Sequence, residues 1–151
     1  MANNLAELWS SEVLAPKAGG QTSFAGIFQT HFNEAAEGKY LSLKAVSLQK
    51  GWTSRFSLPE IYELVIPART LARRIVRKEK LTQTETDKAL RLARIATEAD
   101  RVFANPEKAN KWLRTPLTRL ANQTPLSLLK TETGALVVDQ ILGQIDHGIF
   151  V

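Results

Sequence analysis

The sequence contains no cysteine, which excludes a disulfide framework, a thiolate nucleophile and any cysteine-ligated metal. It is also poor in histidine. His31 and His147 lie in separate segments, and neither has a Ser, Asp or Glu at a triad-like or metal-binding spacing. Its eight glycines form no phosphate-cradling loop. These absences leave no acid–base or nucleophile constellation, so the expectation is a protein that is not an enzyme and uses no cofactor and no metal. No segment approaches the roughly eighteen uninterrupted apolar residues of a membrane-spanning helix. The start, Met1-Ala2-Asn3-Asn4-Leu5, lacks the basic residues and apolar run of a signal peptide. A cytoplasmic protein with no membrane association is expected.

What is present is a chain of 151 residues with 44% apolar content, enough for one or two small domains with a real core. The net charge of +5 is concentrated. Residues 1–60 carry five Lys/Arg against five Asp/Glu, whereas residues 61–102 carry ten against six. The remaining residues, 103–151, carry five against four. An anionic partner would therefore meet the middle of the chain.

The periodicity is helical throughout, and no convincing period-two run appears. Residues 1–21, with Pro16, Gly19 and Gly20, read as a mobile arm. Phe24, Ile27, Phe28, Phe32 and Ala35 form one apolar stripe, and Leu41, Ala45 and Leu48 a shorter one that ends before Gly51. Ser57-Leu58-Pro59-Glu60 and Thr82-Gln83-Thr84-Glu85 are capping boxes. The second opens a long helix with Ala89, Leu92, Ala96, Ala99 and Phe103 on one side. Asn105-Pro106 and Thr124-Pro125 each place an N-cap before a helix-starting proline. Thr131 precedes a last helix with Ala135, Val138, Ile141, Leu142 and Ile145 on its core face, closed by a left-handed Gly148. The expected fold is all-α. Residues 22–81 form a helix-turn-helix DNA-binding domain, 82–104 a linking helix and 105–151 a small C-terminal helical domain.

Within the first domain, a helix over roughly Leu58 to Leu64 is followed by a short connection and a second helix starting at Pro67, as a helix-turn-helix requires. With Arg69 at zero, Arg73 falls at about 40°, Arg77 at about 80°, Thr70 at about 100° and Arg74 at about 140° around the helix. Leu71, Ile75 and Ala68 face the other way, and Val76 sits beside the basic face. Arg69, Thr70 and Arg73 are the candidates for base edges, where an arginine fork matches guanine. Arg74, Arg77, Lys78 and Lys80 are the candidates for phosphates. The alternative is a basic helix face that is merely solvated. Val65 occupies the turn where many such motifs hold glycine, and a β-branched residue resists a left-handed backbone.

In the C-terminal domain Trp112, Leu113, Leu117, Leu120, Leu126, Leu129, Val138, Ile141 and Ile145 are the expected core. The end, Gly148-Ile149-Phe150-Val151, is apolar where termini are usually polar. It either folds back on its own helix or plugs a concave, partly basic pocket elsewhere.

The stretches Asn105-Pro106-Glu107-Lys108-Ala109-Asn110-Lys111-Trp112-Leu113-Arg114-Thr115-Pro116, Thr124-Pro125-Leu126-Ser127-Leu128-Leu129, Thr133-Gly134 and His147-Gly148-Ile149-Phe150 together resemble the toxin-binding domain of the Xre/MbcA/ParS antitoxins, the partners of RES-domain toxins. Ile66-Pro67-Ala68-Arg69-Thr70-Leu71-Ala72-Arg73-Arg74, with Leu81-Thr82 and Leu90-Arg91-Leu92-Ala93-Arg94, is similar to that family's DNA-binding part and linking helix. The likeness covers roughly residues 55–151. It implies an antitoxin that binds an NAD-consuming RES toxin, blocks its active site with the C-terminal end, and represses its own operon by binding operator double-stranded DNA. By that carry-over Gly148, Ile149, Phe150 and Val151 form the plug, and Trp112, Arg114 and Leu120 belong to the surrounding toxin interface. A homodimer, or a larger complex with the toxin, follows from the two-half-site geometry usual for such motifs. The rival is a stand-alone helix-turn-helix transcriptional regulator whose C-terminal domain serves oligomerisation.

Overall fold

The computed structural model describes residues 55–149 together with Ala45 and Trp52. The mobile arm of residues 1–21, the apolar stripe from Phe24 to Ala35, and Phe150 and Val151 fall outside the described residues. Of the second stripe only Ala45 is described; it is helical and buried. Among the described residues every regular element is helical, so the architecture is all-α.

Within residues 55–149 six α-helices follow one another: α1 (Leu58–Leu64), α2 (Ala68–Val76), α3 (Gln83–Phe103), α4 (Pro106–Leu113), α5 (Pro125–Leu128) and α6 (Glu132–Asp146). A single 3-10 turn over Thr118–Leu120 lies between α4 and α5. The starts form where local chemistry supplies partners for orphan N–H groups. Ser57 Oγ accepts from the Glu60 N–H, and Glu60 Oε2 accepts from the Ser57 N–H at 2.8 Å. Thr82 and Glu85 close the same reciprocal pair at the head of α3. Asn105, Thr124 and Thr131 cap α4, α5 and α6 through side-chain oxygens.

Helix α3 is the spine of the molecule. Ala89, Leu92, Ala93, Ile95, Ala96 and Ala99 are all buried along it. Both the upstream helices and the C-terminal helices pack on it, so one continuous core runs from Ala45 to Leu142. The sequence pattern does not single out Trp52, yet it is fully buried at the N-terminal end of this core, its ring centroid 6.2 Å from that of Phe56.

Helix α6 lies parallel to α3, since three pairs advance in the same direction along both. Arg91 meets Glu132 at 2.7 Å, Arg94 meets Asp139, and Arg101 meets Asp146 at 2.9 Å. Each such partly exposed pair contributes at most about 1 kcal/mol, so they set register more than stability. The return path is α4, the 3-10 loop and α5. That loop is pinched by the Leu117 N–H donating to the Gln123 carbonyl at 3.1 Å.

Gly134, in the first turn of α6, lies against the Leu128 backbone at the end of α5. A Cβ there would stand 1.9 Å from the Leu128 carbonyl oxygen, so α5 and α6 meet only because the side chain is a hydrogen.

Candidate nucleic-acid and protein interfaces

The turn between α1 and α2 closes without a left-handed residue. Val65 has φ −120°, and its N–H and that of Ile66 both donate to the Ile61 carbonyl. Val65 and Ile66 are buried, so the β-branched residue at this position is a core contact rather than an obstacle. The left-handed residue lies one helix later, at Lys78 with φ +54°. Lys78 N–H donates to the Ile75 carbonyl and Glu79 N–H to the Arg74 carbonyl, a Schellman closure of α2.

Helix α2 packs through Leu71 and Ile75 and presents Arg69, Ala72, Arg73 and Val76 to solvent. Thr70 is half-buried. Arg77, Lys78 and Lys80 are exposed just beyond it; Arg77 lies 3.7 Å from Glu79. No ion pair ties Arg69 or Arg73 to any other described residue.

Arg74, expected among the phosphate contacts, stands apart from that group. Its side chain is only 15% exposed. Its Nη2 donates to Glu85 Oε1 at 3.1 Å and its Nη1 to Glu79 Oε2 at 3.3 Å. The Glu85 carboxylate also closes the α3 capping box, so one residue fastens the end of α2 to the start of α3. At about 140° Arg74 has rotated past the exposed arc of the helix and reaches the following turn instead.

The C-terminal helices present a second surface. Leu113, Leu126, Leu129, Val138 and Ile141 are buried as expected, whereas Trp112, Leu117, Leu120 and Ile145 are half-buried. Trp112 packs against Phe103 with ring centroids 5.5 Å apart and the rings tilted by 43°, and it is half-buried at the edge of the core. Arg114, expected at a partner interface, is engaged internally. Its Nε and Nη2 donate to the two oxygens of Glu60 at 2.7 and 2.9 Å, and Nη2 also reaches the Arg55 carbonyl at 3.3 Å. Burial tends to raise the Glu60 pKa, but the Arg114 and Ser57 hydrogen bonds outweigh it and hold the carboxyl below its ordinary value. Asp100, with the single Arg55 contact at 2.5 Å, shows the opposite balance: burial wins and its carboxyl titrates above the ordinary value. Lys130 reaches Glu63 at 2.5 Å beside the Glu60 tie. Between them lies a cleft of about 210 Å³ lined by Glu60, Glu63, Leu64, Arg114, Thr124 and Leu126.

Helix α6 ends as the sequence predicts. Gly148 has φ +68°, its N–H donates to the Ile145 carbonyl, and the Ile149 N–H donates to the Gln144 carbonyl. This Schellman closure turns the chain out of the helix and leaves Ile149 53% exposed. Leu136 and Val137 are exposed on the outer side of the same helix.

Residues 98–148, from the last turns of α3 through the Gly148 cap, match the family described as the antitoxin Xre/MbcA/ParS C-terminal toxin-binding domain. A protein named Antitoxin Xre from Photorhabdus laumondii is 34% identical over 111 residues, which span 72% of this chain and 74% of that protein. The chain belongs to the Xre antitoxin family. Two further family members, also named Antitoxin Xre, are 38% identical over 86 residues in Yersinia enterocolitica and 40% identical over 84 residues in Pseudomonas putida. The chain matches little more than half the length of these two, 58% and 53% respectively. Among the described residues no helix is long and apolar enough to cross a membrane, and no cluster of His, Asp and Glu is arranged to hold a metal.

Proposed function

We propose that this protein is an antitoxin with two surfaces: a C-terminal module that binds a RES-type NAD-consuming toxin and blocks its active site, and an α2 face that binds operator DNA to repress the operon. The reading is carried by one coincidence. The match to a toxin-binding domain runs to Gly148, the residue at which the chain leaves α6 and displays Ile149. An apolar segment leaving a rigid, capped helix suits insertion into a partner's pocket, because little ordering entropy remains to be lost at its base. Gly148 to Val151 form the plug in this reading, and Trp112 and Leu120 flank it. Arg114 serves the module by anchoring it to α1 rather than by touching the toxin. Arg69, Thr70 and Arg73 face the bases, with Arg77, Lys78 and Lys80 on the phosphates. Two copies of the chain, alone or in a complex with toxin, would serve two operator half-sites.

The test is NAD consumption by the product of the neighbouring gene, with and without this protein at equal concentration. Loss of consumption on mixing is expected. Undiminished consumption, or a neighbour that consumes no NAD, would leave a DNA-binding regulator whose C-terminal module serves another partner.

A further inference from the structure

Helix α2 carries an apolar pair inside its cationic face. With Arg69 at zero, Arg73 lies at about 40°, Val76 at about −20° and Ala72 at about −60°. All four are exposed, and Val76, at 82%, is the most exposed large hydrophobic side chain described. The core takes Leu71 and Ile75 from this helix and makes no use of Val76. A solitary exposed valine is ordinary on a protein surface. The surroundings distinguish this one: Arg69 and Arg73 share its arc, and Arg77, Lys78 and Lys80 lie just past it.

A partner complementary to such a face must offer anionic groups around an apolar one. The major groove of a DNA duplex does so, with phosphates along both rims and the thymine C5-methyl projecting among the base edges. The positions i, i+3, i+4 and i+7 are those through which a recognition helix lying in that groove reads bases. From Arg69 to Val76 the helix advances about 10 Å, close to the groove width of about 12 Å.

Resting on the DNA-binding reading above, we propose that Val76, with Ala72 beside it, recognises a thymine methyl in the operator, next to guanines taken by Arg69 and Arg73. Valine supplies the apolar contact, and the arginines supply both the bidentate guanine bonds and the charge that holds the helix in the groove. The pair thus makes α2 a reader of mixed guanine–thymine sequence instead of a generic phosphate binder.

The experiment selects duplexes with the full chain from a pool carrying a randomised central segment. Each thymine of the selected duplex is then replaced by uracil, which removes the methyl and keeps the base pairing. Wild-type binding should weaken about fourfold at one position, the equivalent of one buried methylene. Val76→Ala should lose most of that preference for thymine over uracil there. Because Val76 lies on the surface, Val76→Ala is expected to melt at the wild-type temperature. If Val76→Ala keeps the wild-type preference for thymine, or the wild type shows none, the assignment is overturned while DNA binding stands. If no duplex is enriched and binding does not respond to salt, the DNA-binding reading itself falls and takes this assignment with it.

Discussion

At the scale of single residues, neighbouring arginines on α2 have different tasks. Arg73 points to solvent, whereas Arg74 closes on Glu79 and Glu85. Arg73→Ala should leave the melting temperature nearly unchanged and weaken operator binding roughly tenfold, with relaxed preference at one base. Arg74→Ala should lower stability by about 2 kcal/mol in denaturant unfolding, because it leaves the half-buried Glu85 carboxylate without its cation and with only the Thr82 N–H. A melt in which both variants resemble the wild type would remove the distinction. Glu60 gives a pH signature. Its folded-state pKa is lowered below 4.5, so its ion pair with Arg114 stabilises the fold above that value and is lost as pH falls through the folded pKa. The melting temperatures of wild type and Glu60→Gln should therefore differ at neutral pH and converge as the pH drops below 4.5. A gap that persists in acid would assign the effect to packing instead.

At the scale of elements, the two capping boxes are more than local devices. Each glutamate that closes a box also receives an arginine from elsewhere, Glu60 from Arg114 and Glu85 from Arg74. Helix starts and interhelical ties thus share the same carboxylates. The end of α2 is the weak counterpart, since Lys78 occupies a left-handed position that costs an L-residue about 1 kcal/mol. Lys78→Gly should raise stability by about that amount and, having lost one cation, reduce the salt dependence of DNA binding. Unaltered stability would mean that the lysine side chain compensates through contacts of its own. The corresponding site at the end of α6 already holds Gly148, which keeps that helix end well defined where Ile149 departs.

At the scale of the whole molecule, the long helix is a shared core and not an exposed tether. Ala89, Leu92, Ala93, Ile95, Ala96 and Ala99 are buried by elements on both sides of α3, and Arg55, Glu60 and Glu63 are bound by residues from α3, Arg114 at the end of α4 and Lys130 after α5. The two surfaces are therefore parts of one cooperative body. Thermal unfolding followed by circular dichroism and by tryptophan fluorescence should give coincident transitions; two separated transitions would show that the halves fold independently. Deleting Ile149 to Val151 removes none of the described core residues. It should leave the melt and operator binding intact while impairing toxin neutralisation, and full neutralisation by the shortened chain would exclude the tail as the plug.

The sequence by itself determined what depends on near neighbours. Capping boxes, proline-led starts, the apolar stripes of α3 and α6 and the Gly148 stop are set by residues a few positions apart, so their chemistry is visible in one dimension. It also determined the family, through motifs whose order and spacing survive along the chain. Only the tertiary structure decided which cations remain exposed. Arg114 meets a carboxylate 54 positions away and Arg74 one 11 positions away, and no periodicity specifies which of several similar arginines will find such a partner. The same limit hid Trp52, whose burial depends on a core assembled from residues far along the chain. Even Val65 needed the fold to explain it: its backbone is shaped by two bonds to one carbonyl, and its side chain by a core assembled from distant helices.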